Sequence, residues 1–266
     1  RWTKKSVFFA LFQLFAYLGI GQLATIYGEV REAEINNLLP YVTIGVAGKN
    51  AGTVSDKAGK FKLDLNGQIA LTDTIVFSHI GYDTRKIVVG EFSANKGIII
   101  LHAKPAELAE VVFTPKTIKR KQKEIGRSSK GLGLTHFNFY TAYEKDVDDR
   151  LSKEVGMKLK IRRSCQLKDL NFYVSGNQFT SLKFRIYFYN IKNGLPGDII
   201  IDDNVIVEIK NNYEGWVKVD LSPYKIRFGK EDEEDIAVTI QWIESVKSSP
   251  SSKFFSISTA SSPVHT

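Results

Sequence analysis

The residues that could carry out catalysis or bind a metal are scattered along this sequence. It contains four histidines, and no two of them have the spacing of a metal-binding pair. Ser78 and His79 are adjacent, and adjacent side chains of a strand point to opposite faces, so they cannot form a nucleophile–base pair. The glycine–serine elbow of hydrolases does not occur. We therefore predict no catalytic residue, no metal site and no cofactor, and we expect that the protein is not an enzyme.

The acidic run at 231–235 and the single cysteine are the other features with chemical potential. The run offers carboxylate oxygens, but it lacks the spaced ligands and the glycine of a calcium loop, so we favour a solvated hairpin turn. Cys165 has no second cysteine to pair with, and we favour a small packed side chain over a reactive thiol. The enzyme alternative is a glycan-active one with two facing carboxylates, to which the sequence does not point.

Alternating side chains in the second half of the chain give the most specific binding hypothesis. In the segments 170–174, 184–189 and 216–221, aliphatic and phenylalanine side chains alternate with aromatic and charged ones. If the first set faces a core, the second set faces outward. Aromatic rings can stack on sugar rings while charged neighbours bind the hydroxyls, which predicts a carbohydrate-binding platform; packing beneath the other domain is the alternative. The predicted platform consists of Trp216, Tyr187, Tyr189, Arg185 and Tyr173.

The elements that would carry these residues are short strands separated by turns. From residue 24 to residue 113, about seven alternating runs without a convincing helix predict a β-sandwich. In the turn at 56–59, Asp56 can accept hydrogen bonds from the backbone that follows, and Gly59 supplies positive φ. From residue 131 to residue 266, seven further runs predict a second sandwich of jelly-roll type. Trp242 alternates in step with its aliphatic neighbours and is therefore predicted to lie in the core. The hexapeptide 193–198 is predicted to form a turn, and residues 146–153 are predicted to form one or two helical turns.

The first half also resembles a known family. The segments GTVSDKAGKFKL (Gly52 to Leu63), IVFSHIGYDTRKIVV (Ile75 to Val89) and LAEVVFTP (Leu108 to Pro115) are similar to the carboxypeptidase-regulatory-like domain. The resemblance implies a transthyretin-like, non-catalytic β-sandwich of the kind that begins many exported and outer-membrane proteins of Gram-negative bacteria. Gly81 and Tyr82 fit a structural role there, the glycine because a Cβ would clash at a tight strand exit and the tyrosine by burying its ring.

The second half resembles uncharacterised exported proteins that carry the same first domain. This resemblance covers Lys153 to Ile243 and names no activity. Those proteins continue beyond the point where this sequence ends, which leads us to expect a further strand.

The N-terminus has the pattern of a secretory signal peptide. Basic residues precede an apolar run from Ser6 to Ile20, and Gly19 and Gly21 stand at the −3 and −1 positions of a cleavage site. An uncleaved anchor is the alternative. The mature protein is therefore expected to be soluble or peripheral to a membrane, in the periplasm, at the outer membrane or outside the cell. The predicted organisation is a signal peptide at 1–21, the first sandwich at 24–113, a linker at 114–130 and the second sandwich at 131–266.

The net charge of +8 lies largely in the linker at 114–130, where no aromatic residues interleave the basic ones. We favour a solvated tether over a phosphate-binding segment, and we expect no nucleic-acid partner. The function predicted from the sequence is a non-catalytic module of the cell envelope, which interacts with an envelope protein or a glycan. Carbohydrate binding through the outward aromatics is the alternative function.

Overall fold

In the part of the chain that the structure describes, the regular elements are β-strands and three short 3₁₀ helices, at Val89–Asn95, Val147–Arg150 and Ser222–Tyr224. The structure, a computed structural model, describes residues 25–65, 69–95, 97–104, 123–125, 136–139, 145–161, 164–228 and 235–258. Within these ranges the predicted all-β class is confirmed, and no helix there has the length and hydrophobicity required to span a bilayer. The predicted signal peptide, the linker apart from 123–125 and the acidic residues 231–234 lie outside the described residues.

The first sandwich has seven strands in two sheets. One sheet has the order β4–β1–β7, in which β1 is antiparallel to β4 and parallel to β7, and the other is antiparallel with the order β3–β2–β5–β6. Alternate side chains of both sheets meet in one core, where Val30, Ile44 and Phe77 are fully buried. The strands are β1 (Thr25–Glu32), β2 (Thr43–Val46), β3 (Gly52–Val54), β4 (Lys60–Asp64), β5 (Thr74–Ser78), β6 (Arg85–Val88) and β7 (Ile98–Leu101).

Two turns of this sandwich were predicted from their residues, with different outcomes. Asp56 accepts hydrogen bonds from the amides of Ala58 and Lys60 at 2.8 and 2.9 Å, and Gly59 has a φ of 67°, so the predicted turn is confirmed. The reason given for Gly81 was wrong, because a Cβ at this position would meet no atom within 4 Å. Its φ of 81° is what favours glycine there.

The second sandwich packs two larger sheets face to face. One has the order β15–β11–β18–β8, and the other has the order β13–β12–β17–β9, with β14 also paired to β12. A two-stranded pair of β10 and β16 lies beside them. The strands are β8 (His136–Phe137), β9 (Glu154–Lys160), β10 (Cys165–Gln166), β11 (Asp169–Asn177), β12 (Phe179–Lys192), β13 (Leu195–Ile199), β14 (Val205–Lys210), β15 (Gly215–Asp220), β16 (Arg227–Phe228), β17 (Asp235–Lys247) and β18 (Phe255–Ser258).

The core of the second sandwich is built around Trp242, whose predicted burial is confirmed. The indole is fully buried, and the centroids of four phenylalanine rings lie 5.2–5.6 Å from its own. The guanidinium carbon of the buried Arg150 stands 5.2 Å above the indole, in cation–π geometry. The four rings belong to Phe139, Phe179, Phe184 and Phe255.

The predicted turn at 193–198 is shorter than its sequence suggested. Only Asn193 and Gly194 form the turn, with φ values of 53° and 80°, which is the pattern of a tight β-hairpin. Pro196 instead lies within β13, which is an edge strand. Proline has no amide hydrogen to donate, and an edge strand tolerates this because it has a neighbouring strand on one side only. The predicted helical turns near 146–153 are present as the 3₁₀ helix Val147–Arg150.

Candidate functional site

The outer face of β12 and β17 is covered by the first sandwich, and we call this contact the junction. It is centred on Arg185, whose side chain is fully buried and makes three hydrogen bonds. Nη2 donates to the carbonyl oxygen of Tyr41 at 2.7 Å, Nε donates to Asn204 at 2.8 Å, and Nη1 donates to the hydroxyl of Tyr187 at 3.2 Å. A buried guanidinium is tolerated only when its charge and donors are matched, and here a backbone carbonyl of the first sandwich is one of its partners.

Tyr41 is the residue through which the first sandwich meets this guanidinium. Its backbone has a φ of 59°, a left-handed conformation that is uncommon for a bulky side chain. The hydroxyl of Tyr41 accepts a hydrogen bond from Lys183 and donates one to Glu244, both at 2.9 Å. The second sandwich thus contacts both the main chain and the side-chain tip of Tyr41, and these contacts offset the backbone strain.

A cluster of charges surrounds the Tyr41 hydroxyl. Glu244 lies 3.1 Å from the ammonium of Lys183 and 3.3 Å from that of Lys57, which extends from the first sandwich. Burial opposes ionisation of Glu244, but the hydrogen bonds from Tyr41 and Lys183 outweigh it and hold the pKa of this carboxyl below its usual value. The carboxylate is therefore a charged partner of both sandwiches.

A second polar cluster lies beside Arg185, around Glu154 of β9. The carboxylate accepts hydrogen bonds from Tyr189 at 3.0 Å, from Thr239 at 2.9 Å and from the amide of Gln241 at 3.2 Å. Desolvation raises the pKa of Glu154, although the hydrogen bonds from Thr239 and Tyr189 oppose this. The side-chain oxygen Oε1 of Gln241 accepts a hydrogen bond from the hydroxyl of Thr43 at 3.2 Å, so this cluster also reaches the first sandwich.

His79 is a titratable residue of the first sandwich whose pKa is affected by the charge of Arg185. Its Nδ1 lies 2.8 Å from the carbonyl oxygen of Ile80, and its ring packs edge-on against Tyr82 at a centroid distance of 5.2 Å. Burial, and secondarily the charge of Arg185, lowers the pKa of His79 to about 4. The imidazole is therefore neutral near pH 7.

The five predicted platform residues lie on two different sheets and do not form one surface. Arg185 and Tyr187 do point away from their own core, but the junction buries them, and Tyr187 is only 5% exposed. Tyr189 is half-buried, bound to Glu154, with its ring 5.6 Å from that of Tyr187. The other two residues of the set, Tyr173 and Trp216, belong to the opposite sheet of the sandwich.

Sequence reasoning missed the partners of Arg185. No sequence pattern pointed to Tyr41, Glu154 and Glu244, because each is an ordinary polar residue, Tyr41 in a loop and the two glutamates in strands. The contact between Arg185 and Tyr41 joins positions 144 residues apart, and no local pattern could have indicated it.

The described residues leave the outer face of β11 and β15 partly exposed to solvent, and we call it the open face. Tyr173 and Trp216 are directly opposed across these strands, and their rings meet at 5.5 Å and 76°. Trp216 is 40% exposed. Asn171 and Lys218 form the next outward pair along the two strands, so aromatic rings and hydrogen-bonding groups stand side by side.

Reactive and metal-binding groups give no further site among the described residues. Within them, no three His, Cys, Asp or Glu side chains are placed to hold a metal ion together. Cys165 packs half-buried against the core of the second sandwich, as predicted, and burial raises the pKa of its thiol, which disfavours the reactive thiolate.

Comparison with known proteins assigns the first sandwich. The family model of the CarboxypepD_reg-like domain matches residues 26–113, about one third of the chain. No curated protein matches the chain. The match covers all seven strands of the first sandwich and agrees with the resemblance in the sequence. The domain of this family is a non-catalytic β-sandwich. The chain therefore contains a carboxypeptidase-regulatory-like domain, at residues 26–113.

Proposed function

We propose that this protein is an exported, non-catalytic module of the cell envelope whose two sandwiches act as one body. The observation that carries this proposal is the contact of Arg185 with the carbonyl oxygen of Tyr41, where a buried charge of the second sandwich depends on the main chain of the first. A hinge at this position would leave that charge desolvated and without its partner, which is costly.

The chemistry of the junction supports a structural role. The carboxylate of Glu154 is engaged by three neutral side chains, and Glu244 is paired with two lysines. A general base needs a free lone pair directed at a substrate, and a nucleophile needs a base beside it. The polar groups of the junction instead bind one another and join the two sandwiches.

Rigid coupling can be tested by equilibrium unfolding. Of the three tryptophans, Trp216 and Trp242 lie in the second sandwich and Trp2 lies in the predicted signal peptide, so tryptophan fluorescence of the chain without residues 1–21 reports the second sandwich alone. Far-UV circular dichroism reports both sandwiches. We expect the two probes to give coincident transitions in the wild type and separate transitions in Arg185→Met. The matched control is Arg227→Met, which removes an exposed arginine of β16. Separate transitions already in the wild type would refute the proposal.

Export can be tested independently. The basic start and the apolar run that follows it support cleavage after Gly21. The full-length chain, expressed in a Gram-negative host and fractionated, should be recovered beyond the cytoplasmic membrane with Gln22 as its N-terminal residue. A chain recovered in the cytoplasmic fraction, or retained in the inner membrane with residues 1–21 attached, would show that this part of the proposal is wrong.

A second candidate function is carbohydrate binding at the open face. It is favoured by the exposed indole of Trp216 beside Tyr173, with Asn171 and Lys218 adjacent on the same surface. We expect wild-type protein to bind on an array of neutral and acidic glycans, and we expect Trp216→Ala to lose that binding. Tyr27→Ala removes an exposed aromatic ring of the first sandwich and is the matched control. Equal binding by Trp216→Ala and wild type would exclude the open face.

A further inference from the structure

A third aromatic ring, beside the exposed Trp216 and the half-buried Tyr173, lies on the open face. Phe254 is 43% exposed, and a Cβ added at Gly176 would overlap its ring. Gly176 pairs with Ser256, while the neighbouring pair of Asn177 with Phe255 points into the core. Gly176 therefore faces the same side as Tyr173, and the absence of a side chain there leaves room for the ring of Phe254 on the outer surface.

The three rings form a row rather than a compact cluster. Trp216 and Tyr173 are neighbours across β15 and β11, and Gly176, beneath Phe254, is three residues further along β11. Tyr173 pairs with Ser258 and Gly176 with Ser256, so at about 3.3 Å per residue of β18 Gly176 lies roughly 7 Å from Tyr173 along the sheet, which is longer than one pyranose ring. The irregularity of pairing between Val174 and Gly176 lies between them, and the half-buried Ser175 hydroxyl is located there.

The charges of the open face are balanced locally. Lys218 is the only cation that faces outward on β11 and β15, and it pairs with Asp169 at 3.3 Å. Asn171 donates to the same carboxylate at 2.7 Å. Asp220, which is directly opposite Asp169, is exposed. Although the chain carries a net charge of +8, this face has no excess of positive charge for a uronic acid or a sulfated sugar.

We propose that the open face binds a neutral polysaccharide chain across at least two subsites. Trp216 with Tyr173 forms one subsite and Phe254 forms the other, each by stacking on the apolar face of a sugar ring. This inference rests on the carbohydrate-binding function proposed above and specifies its ligand as neutral and longer than one ring. The polar side chains between and beside the rings provide hydrogen bonds to hydroxyl groups.

The test is a glycan array graded in length from monosaccharides to long oligosaccharides, with neutral and acidic members. It compares wild type with Phe254→Ala, Trp216→Ala and Tyr27→Ala, all at exposed positions, after thermal unfolding has shown that all four proteins are folded at the assay temperature. We expect wild type to prefer long neutral glycans. Phe254→Ala should lose about tenfold in affinity for long neutral glycans and leave short ones unchanged. Trp216→Ala should lose binding to both, and Tyr27→Ala should match wild type.

The outcomes separate the two proposals. Binding that depends on Trp216 but is independent of length and of Phe254 would overturn the second subsite and leave the carbohydrate-binding function intact. A preference for acidic glycans would overturn the assignment of a neutral ligand. No binding to any glycan, or binding unaffected by Trp216→Ala, would overturn both proposals.

Discussion

The second sandwich has two outer faces, and they differ in what covers them. On the face of β12 and β17, Arg185 is fully buried beneath the first sandwich and bound to Tyr41. On the face of β11 and β15, Trp216 remains 40% exposed. The same alternation of side chains places both residues outward from the same core. The strand pattern therefore specifies the direction of a side chain, whereas the environment that it reaches depends on the other domain.

The chemistry of the two faces fits this difference. The covered face carries side chains whose donors and acceptors find partners across the junction, through Lys183, Glu244 and Gln241. The open face carries rings and a salt bridge that is complete without a partner, between Lys218 and Asp169. The polar groups of the covered face find their hydrogen-bond partners in the first sandwich. The charges of the open face are paired within that face, so it can remain exposed and available to a ligand.

The largest effect should come from the tryptophan that faces inward. Trp242→Ala removes a fully buried indole enclosed by four phenylalanine rings, and we expect the free energy of unfolding to fall by roughly 4 kcal/mol. Chemical denaturation followed by circular dichroism measures this loss. Trp242→Phe retains an aromatic ring and should lose distinctly less. If the alanine variant loses only about 1 kcal/mol, the central place given to Trp242 in this core is wrong.

The next effect should come from the covered face. Arg185→Met keeps much of the side-chain volume but leaves the Tyr41 carbonyl and Asn204 without their donor. We expect the free energy of unfolding of the second sandwich to fall by roughly 3 kcal/mol in urea denaturation followed by tryptophan fluorescence, which reports this sandwich alone. The control Arg227→Met removes an arginine from an exposed position and should change stability by less than about 0.5 kcal/mol. Equal stability of the two variants would mean that the junction contributes little to stability.

The difference between the two faces also marks the limit of prediction from the sequence. Strand periodicity and turn residues were sufficient for the all-β class and for the burial of Trp242. The alternation of side chains along the strands correctly predicted that Arg185 and Trp216 point outward. It could not show that Arg185 is covered through a contact with Tyr41, 144 residues away in the sequence. Phe254 was missed because the pairing irregularity after Val174 interrupts the alternation, and because its place on the face depends on Gly176.

A smaller effect should appear as acid sensitivity at the junction. The unfolded chain protonates His79 near pH 6.5, whereas the folded protein, with a pKa of about 4 at this residue, does so only at lower pH. Stability from this group is therefore complete above pH 6.5 and is lost as the pH falls toward 4. The shift corresponds to at most roughly 3 kcal/mol, and partial solvent exposure of the ring reduces this to about 2 kcal/mol.

His79→Gln tests this acid sensitivity. Its stability should fall less steeply than that of wild type between pH 6.5 and pH 4, in urea denaturation at a series of pH values. The control His102→Gln changes an exposed histidine of the same sandwich, and it should retain the wild-type slope. Parallel pH profiles for His79→Gln and wild type would show that His79 does not respond to burial and to Arg185 in this way.

The smallest effect should come from the open face. Trp216→Ala removes an exposed ring that packs edge-on against Tyr173 at 5.5 Å, and we expect the free energy of unfolding to fall by about 1 kcal/mol or less. Thermal unfolding compared with Trp242→Ala and Arg185→Met measures this loss on one scale. A loss as large as that of Arg185→Met would mean that Trp216 contributes to folding as much as the junction does. In that case the ring of Trp216 would mainly stabilise the second sandwich, and its exposure would no longer support a ligand-binding role.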